Sequence, residues 1–517
     1  MKTRRWLSLS FSLLLLVSLL TSCLSDYGGS DRFAKPLVFK ISGSSAATRN
    51  YSVIIQNSLK DVGIPVEIQT VEQNTLFDQL RQGQYNMTTS RWLGGNQDPI
   101  FLKDLFVTGA PFNRGRYSNP ELDKILNEAV ATADRARARE LYLQAQDIIS
   151  REMPMLPLWY VDNMVISRKG TGNIKPDAGG DFIFLSKVTT DKTNEPFIVA
   201  LESNPETLDA LRGTDGPSER LRQLMHSALV RKNENFDYVP ELADFERAAD
   251  GLSYTFTLKE GVRFHNGNPV TARDVKYSLD TLLASDSRKA TPFFEGTGDQ
   301  RVGYVTAVEA PNPRTVIVRL RSPWLQLLPN LTPLPIIPDG SADAQRETPV
   351  GCGPFKFVSY DRSQQVVDME ANDNYWNGAP KIRRLRVRVI SDANTMQAEF
   401  KSGRVDLASA LSNLSPDGFK TLGDDPNLKV EQFPGANIVY LGFNAESEPL
   451  KDARVRQAIA YAIDREAIVR DLLLGQGRVA HSILPESSWA YSPGQKYAFD
   501  PARARKILDD AGYVKKK

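Results

Sequence analysis

Three histidines, His226, His265 and His481, and two cysteines, Cys23 and Cys352, are the residues from which a metal site or a nucleophilic centre would be built. Metal capture needs them at short, repeated spacings such as HExxH or paired CxxC, and here they are scattered. No GxxxxGK[ST] phosphate loop and no GxSxG elbow occurs, so phosphoryl and acyl-enzyme chemistry lack their carriers. His265 stands in a His-Asn-Gly turn, where a structural hydrogen bond is expected. Cys352 reads as a packed, inert thiol. No cofactor and no metal are expected. What the residue types support is binding. The run Trp92-Leu93-Gly94-Gly95-Asn96-Gln97-Asp98-Pro99 joins an aromatic wall to a backbone that adjacent glycines leave free to approach a ligand.

The elements that must position this run alternate in type. Leu37 to Ile41, Val66 to Thr70 and Met87 to Trp92 read as strands, and Asn50 to Val62 and Asn74 to Gln82 as helices, the pattern of an α/β layer. Ser118 with Glu121 matches a capping box before a helix running to about Ala131; a second helix is expected from Arg135 to Glu152. Met153 to Tyr160 is extended because each proline holds its predecessor out of the helix. Gly170 to Gly180 reads as a linker and Phe182 to Leu185 as a short strand. Phe197 to Leu201, Thr315 to Leu320, Arg386 to Ile390 and Ile438 to Asn444 are further strands. Ser218 to Leu229 is an amphipathic helix, and Asp452 caps another with apolar residues Val455, Ile459, Ile463, Ala467 and Leu472 on one side. Asp500-Pro501 opens the last helix and Gly512 stops it.

At 517 residues the chain is too long for one core, so two or three domains are expected. The 64 basic and 62 acidic residues nearly balance, which argues against nucleic acid as a partner. Lys2, Arg4 and Arg5 precede an apolar core from Leu7 to Leu20, about 14 residues, too short for the roughly 20 a membrane span needs. Leu20-Thr21-Ser22-Cys23 resembles a lipobox. Residues 1–22 are expected to be a signal peptide, Cys23 the lipid attachment and 23–32 a tether, placing the protein outside the cytoplasm, in the periplasm or at the cell surface.

The stretch from Asp250 to Leu279 alternates Tyr254, Phe256 and Leu258 with polar residues, turns through His265-Asn266-Gly267-Asn268-Pro269, and enters a helix through Thr271 and Asp274 as a capping box. Its wording resembles the signature of the family 5 extracytoplasmic solute-binding proteins, the oligopeptide- and dipeptide-binding receptors of ABC importers. YSNPELDKIL, MPMLPLWY, the WLGGNQDP loop, PFIVALESNPETLD, PVGCGPF and NYWNGAP each resemble family phrases. The resemblance implies a two-lobed α/β fold of the type II periplasmic-binding-protein kind with an extra small domain. Its parts would be a second lobe from 33–170 and 409–517, a first lobe from 171–243 and 346–408, and the extra domain at 244–345.

The order differs from the family's. The phrase beginning PFIVALESNPETLD, which opens the family, follows the block that closes it. The chain therefore reads as a circular permutant in which 33–190 and 197–513 together make one receptor. A polar linker at 186–195 would join the ancestral termini. Tyr513 is then expected within a loop's reach of Pro36.

By the same resemblance the family's peptide receptors place a tryptophan where Trp92 stands and, three residues later, an aspartate that holds the peptide's amino terminus. Here that place is Gly95, and Asp98 follows in an Asp-Pro pair. The ligand-binding set implied is Trp92, Gly94, Gly95, Asn96, Asp98, Thr207, Asp209, Tyr440, Phe443, Asn444 and Trp489. The expectation is a lipid-anchored monomer, not an enzyme, that closes around a peptide and presents it to an ABC permease. An oligosaccharide, an opine-like compound or a metal chelate is the alternative solute, and a secreted hydrolase the rival from another class.

Overall fold

Two long strands, Met155–Arg168 and Leu428–Phe443, pair antiparallel along almost their whole length, from Leu428 opposite Arg168 to Gly442 opposite Met155. In this computed structural model, which describes residues 32–514 other than 44–45, 93–97, 111, 133, 194, 234, 297–300 and 410–413, they form the spine of an eleven-stranded sheet. The leader and Cys23 lie outside the described residues, as do Gly94, Gly95 and Asn96.

One half of the sheet builds on one end of the spine. Leu407–Ser409 pairs with 165–167, and beyond it stand Phe197–Leu201, Arg384–Val389, Val366–Ala371 and Phe355–Asp361. The other half builds on the opposite end. Met87–Trp92 pairs with 438–443, followed by Leu37–Ser42 and Val66–Val71 in parallel. Each half has its own apolar clusters on both faces. Phe197, Val199 and Leu385 lie on one side of the first and Phe400 and Leu422 on the other; Phe39, Leu441 and Ile459 and then Leu126, Leu141 and Ile438 do the same for the second. Between the halves the spine pair loses register between Phe433 and Asn437, a bulge that bends the ribbon where one half gives way to the other.

A further sheet, in the order Val305–Asn312, Thr315–Leu320, Ser253–Leu258, Ala243–Arg247, packs on the helix Ala272–Leu283 around Phe256, Val275 and Leu279. The Thr271/Asp274 capping box forms, satisfying backbone donors at both ends of the motif. A two-stranded hairpin, Val230–Lys232 with Tyr238–Pro240, stands beside it.

Four local expectations are corrected. Phe182 to Leu185 is not a strand but a 3-10 turn, Ile183–Ser186; Phe182, Phe184 and Leu185 are all buried, and a turn can send adjacent apolar side chains inward where a strand would alternate them. The helix expected from Ser218 to Leu229 is Gly216–Met225. It ends where His226 turns extended against Gly353, whose close approach leaves no room for another turn. Asn119, not Ser118, caps Pro120–Ala131, its Oδ1 accepting from the amides of Glu121 and Leu122. The helix capped by Asp452 stops at Ala462, because Asp464 caps a new turn and the Arg465 guanidinium is drawn to the carbonyls of Pro157, Ala480 and Tyr497.

Candidate functional site

The registers fix where a ligand could lie. Met87–Trp92 runs antiparallel to Leu428–Phe443 with Trp92 opposite Ile438, so its carboxyl end points at the bulge. Phe197–Leu201 runs parallel to Leu407–Ser409, which is antiparallel to Met155–Arg168 with Ser409 opposite Val165; its carboxyl end points at the same place from the other side. Carboxyl ends of parallel strands are where open α/β sheets hold ligands. Here two such ends face each other across one crevice, with Arg91 and Trp92 on one wall and Glu202 on the other.

Trp92 stacks on Tyr440, centroids 5.5 Å apart and planes at 11°, and meets Phe101 and Phe112 edge-on at 5.2 and 5.9 Å. It is half-buried, and its indole Nε1 has no acceptor among the described residues. Tyr440 is buried beneath it; burial pushes its phenol up to about 12. Trp92 thus stands half-buried on an aromatic base at the carboxyl end of its strand.

Asp98 is buried, accepting from the Ile100 amide at 2.9 Å and from the Tyr238 hydroxyl. Tyr238 belongs to the hairpin on the far side, so this hydrogen bond crosses the crevice. Arg135 pairs with Asp237 at the same hairpin, and its guanidinium lies 4.7 Å over the Trp489 ring. Trp489 is half-buried, edge-on to Tyr142 at 5.8 Å.

The other expected residues take structural positions. Thr207 Oγ1 accepts from the Asp209 amide at 3.0 Å, and Asp209 Oδ1 accepts from Leu211 at 3.0 Å, so the pair locks the loop after Phe197–Leu201. Phe443 is fully buried. Asn444 donates to the carbonyls of Gly83 and Tyr85 at 3.0 and 3.1 Å and accepts from the Glu446 amide, which commits both of its amide hydrogens.

Charged groups that sequence reasoning passed over line the same crevice. Glu202 holds Arg220 through both carboxylate oxygens at 3.1 and 3.0 Å. Both sit within electrostatic reach of Arg91. On the same wall as Glu202, Asp181 is pushed up to about 8, by burial first and then by Asp177, whose Oδ1 accepts from the Asp181 amide at 2.9 Å. Burial pulls the neighbouring Lys232 ammonium down, against Asp98, Asp181 and Asp177. The only signal for these in the sequence was a charge beside a strand's carboxyl end, as in Arg91-Trp92 and Leu201-Glu202. Among the described residues no group of three or more His, Cys, Asp or Glu could hold a metal, and no helix is long and apolar enough to cross a membrane.

Comparison with known proteins agrees with this architecture. The profile of the bacterial extracellular solute-binding proteins, family 5 Middle, matches residues 21–114 and 237–517. The oligopeptide-binding protein AppA of Bacillus subtilis is 29% identical over 365 residues, 67% of this chain and 62% of AppA. Heme-binding protein A of Haemophilus influenzae is 31% identical over 317 residues, 56% of this chain and 57% of that protein. The crystal structure of NikA from Brucella suis in complex with Fe(III)-EDTA has a TM-score of 0.50 at 25% identity, covering 62% of this chain and 64% of NikA. The chain thus spans about three fifths of the length of these relatives.

Proposed function

This chain belongs to the family 5 bacterial extracellular solute-binding proteins, and we propose that it captures peptides in the crevice between two lobes and delivers them to an ABC permease. The lobes are the two halves of the large sheet, hinged where the spine pair loses register, with the 243–320 sheet as the extra domain. One observation carries the reading: the carboxyl ends of Met87–Trp92 and Phe197–Leu201 meet across a single crevice walled by Trp92 and bridged by Tyr238 and Asp98. A wall of aromatic and charged groups between hinged bodies suits a solute that is enclosed and released unchanged. AppA supports peptide as the solute class.

Export and lipid attachment at Cys23 belong to the proposal. They rest on the charged head, the short apolar core and the lipobox-like Leu20-Thr21-Ser22-Cys23. So does the rearranged order of blocks. It is supported by the contact of Phe33 with Tyr513.

A non-peptide solute is the second reading, favoured by the absence of an acidic group at Gly95 and by the heme-binding relative. Native mass spectrometry of the protein from its host, with the retained solute sequenced or identified, tests the two. Peptide masses in the complex support the first; a single non-peptide mass replaces it with the second; an empty protein that binds no peptide in calorimetry removes it.

A further inference from the structure

We propose that Arg91 is the ligand's anion anchor: its guanidinium fork receives a carboxylate of the bound peptide. The inference rests on the solute-receptor reading and adds the chemistry of one pole of the site.

Arg91 is the penultimate residue of Met87–Trp92, on the opposite face from Trp92, at the end that reaches the crevice. Its side chain is open to solvent, yet it makes no hydrogen bond and no ion pair among the described residues. The groups within its electrostatic reach are Tyr51, on its own lobe, and Glu202 and Arg220, across the crevice. Glu202 does not neutralise it. That carboxylate is committed to Arg220 through both oxygens at 3.0 and 3.1 Å and is itself largely buried. Two guanidiniums and one carboxylate leave this corner with an excess positive charge. Tyr51, the remaining neighbour, has its hydroxyl 3.1 Å from Thr89 Oγ1, and burial raises its pKa, so it stays neutral.

Enough protein surrounds Arg91 that desolvation pulls its guanidinium below the ordinary arginine value. A cation held in a crevice with low-dielectric walls attracts anions more strongly than one on an open face. Five N–H donors in a planar fork match the two oxygens of a carboxylate better than any other side chain does. Lys232, elsewhere on the facing wall, already has Asp98, Asp181 and Asp177 within electrostatic reach. A peptide's carboxylate therefore has one corner that welcomes it.

The test uses casein hydrolysate and the same hydrolysate with its carboxyl groups methyl-esterified, offered to the full chain and to Arg91→Gln and Arg91→Lys. Bound peptides are counted by native mass spectrometry. Wild type is expected to retain the free acids at least about tenfold over the esters. R91Q should lose that preference with its melting temperature unchanged, and R91K should keep part of it, having the charge without the fork. Retention independent of Asp and Glu content assigns the terminal carboxylate; enrichment of acidic peptides assigns a side chain. Equal retention of acids and esters by wild type, or an undiminished preference in R91Q, overturns the anchor while leaving the receptor intact. Retention of nothing by wild type overturns the peptide reading and the anchor with it.

Discussion

The ring of Tyr513 meets the ring of Phe33 edge-on, centroids 5.2 Å apart and planes at 88°. Arg32 ties the same two segments, donating to the Tyr513 carbonyl at 2.7 Å and to the Val62 carbonyl at 2.9 Å while pairing with Asp509. The helix Pro501–Asp510 and the strand Leu37–Ser42 are thus neighbours in one core although nearly the whole chain lies between them. A protein reopened within 186–195, with residue 513 joined to residue 33 by a short linker, should unfold in one cooperative transition and retain the same solutes. Calorimetry showing a split or vanished transition would contradict the rearranged order. Phe33→Ala in the present order should cost about 2–4 kcal/mol in urea denaturation, because a buried ring is lost from a seam between distant segments.

The Tyr238 hydroxyl and the Asp98 carboxylate bind each other across the crevice. Tyr238→Phe removes the bond and keeps the ring. The closed form should lose about 1 kcal/mol relative to the open one, raising the dissociation constant for retained peptides severalfold, mostly through faster release measured by stopped flow. An unchanged release rate would mean that this bond does not report closure.

Gly435 occupies the bulge of the spine. A Cβ there would fall 1.9 Å from the Val161 carbonyl oxygen, and the residue is held by Asp162 at its amide and by Arg478 at its carbonyl, at 3.1 and 2.9 Å. Gly435→Ala should destabilise the fold by about 1–3 kcal/mol or more, since backbone rather than a flexible side chain must give way. Equilibrium urea unfolding reads this directly.

His226 is buried just beyond the helix Gly216–Met225, against Gly351 and Gly353. Its Nε2 lies 3.1 Å from Gln345 Oε1, and burial holds the imidazole down to about 3, against 6.5 for an ordinary histidine. The folded state therefore favours the neutral ring. The stability this supplies is complete above about pH 6.5 and is lost as the pH falls toward the folded value. Glu241, raised to about 7 by burial, contributes with the opposite sign over part of that range. The difference between wild type and His226→Asn isolates the histidine: the variant's stability should fall less steeply between pH 6.5 and 4. Parallel profiles would remove the histidine as the cause.

Local elements were legible in the amino-acid order. Met87–Trp92, Arg135–Glu152, Phe197–Leu201 and Thr315–Leu320 lie where periodicity placed them, and the Thr271/Asp274 box and the Asp452 and Asp500 caps form as their spacing implied. Each depends on residues a few positions apart, and a capping oxygen or an alternating strand face needs no distant partner to declare itself. The family's phrases were likewise short and intact, so the solute-receptor class was readable without coordinates.

The site was less legible. Thr207, Asp209, Phe443 and Asn444 carry the right atoms for binding, but local turns and core packing absorb them. Arg91 and Glu202 gave no sign of each other, because what sets them face to face is the opposed direction of two strands about a bulge in a third pair. Direction and register are properties of pairing between segments far apart in the chain, and no spacing along it encodes them. Composition and local pattern determined what this protein is built from and the class it joins; only the tertiary pairing decided which charges share the crevice, because that depends on where strands end in space.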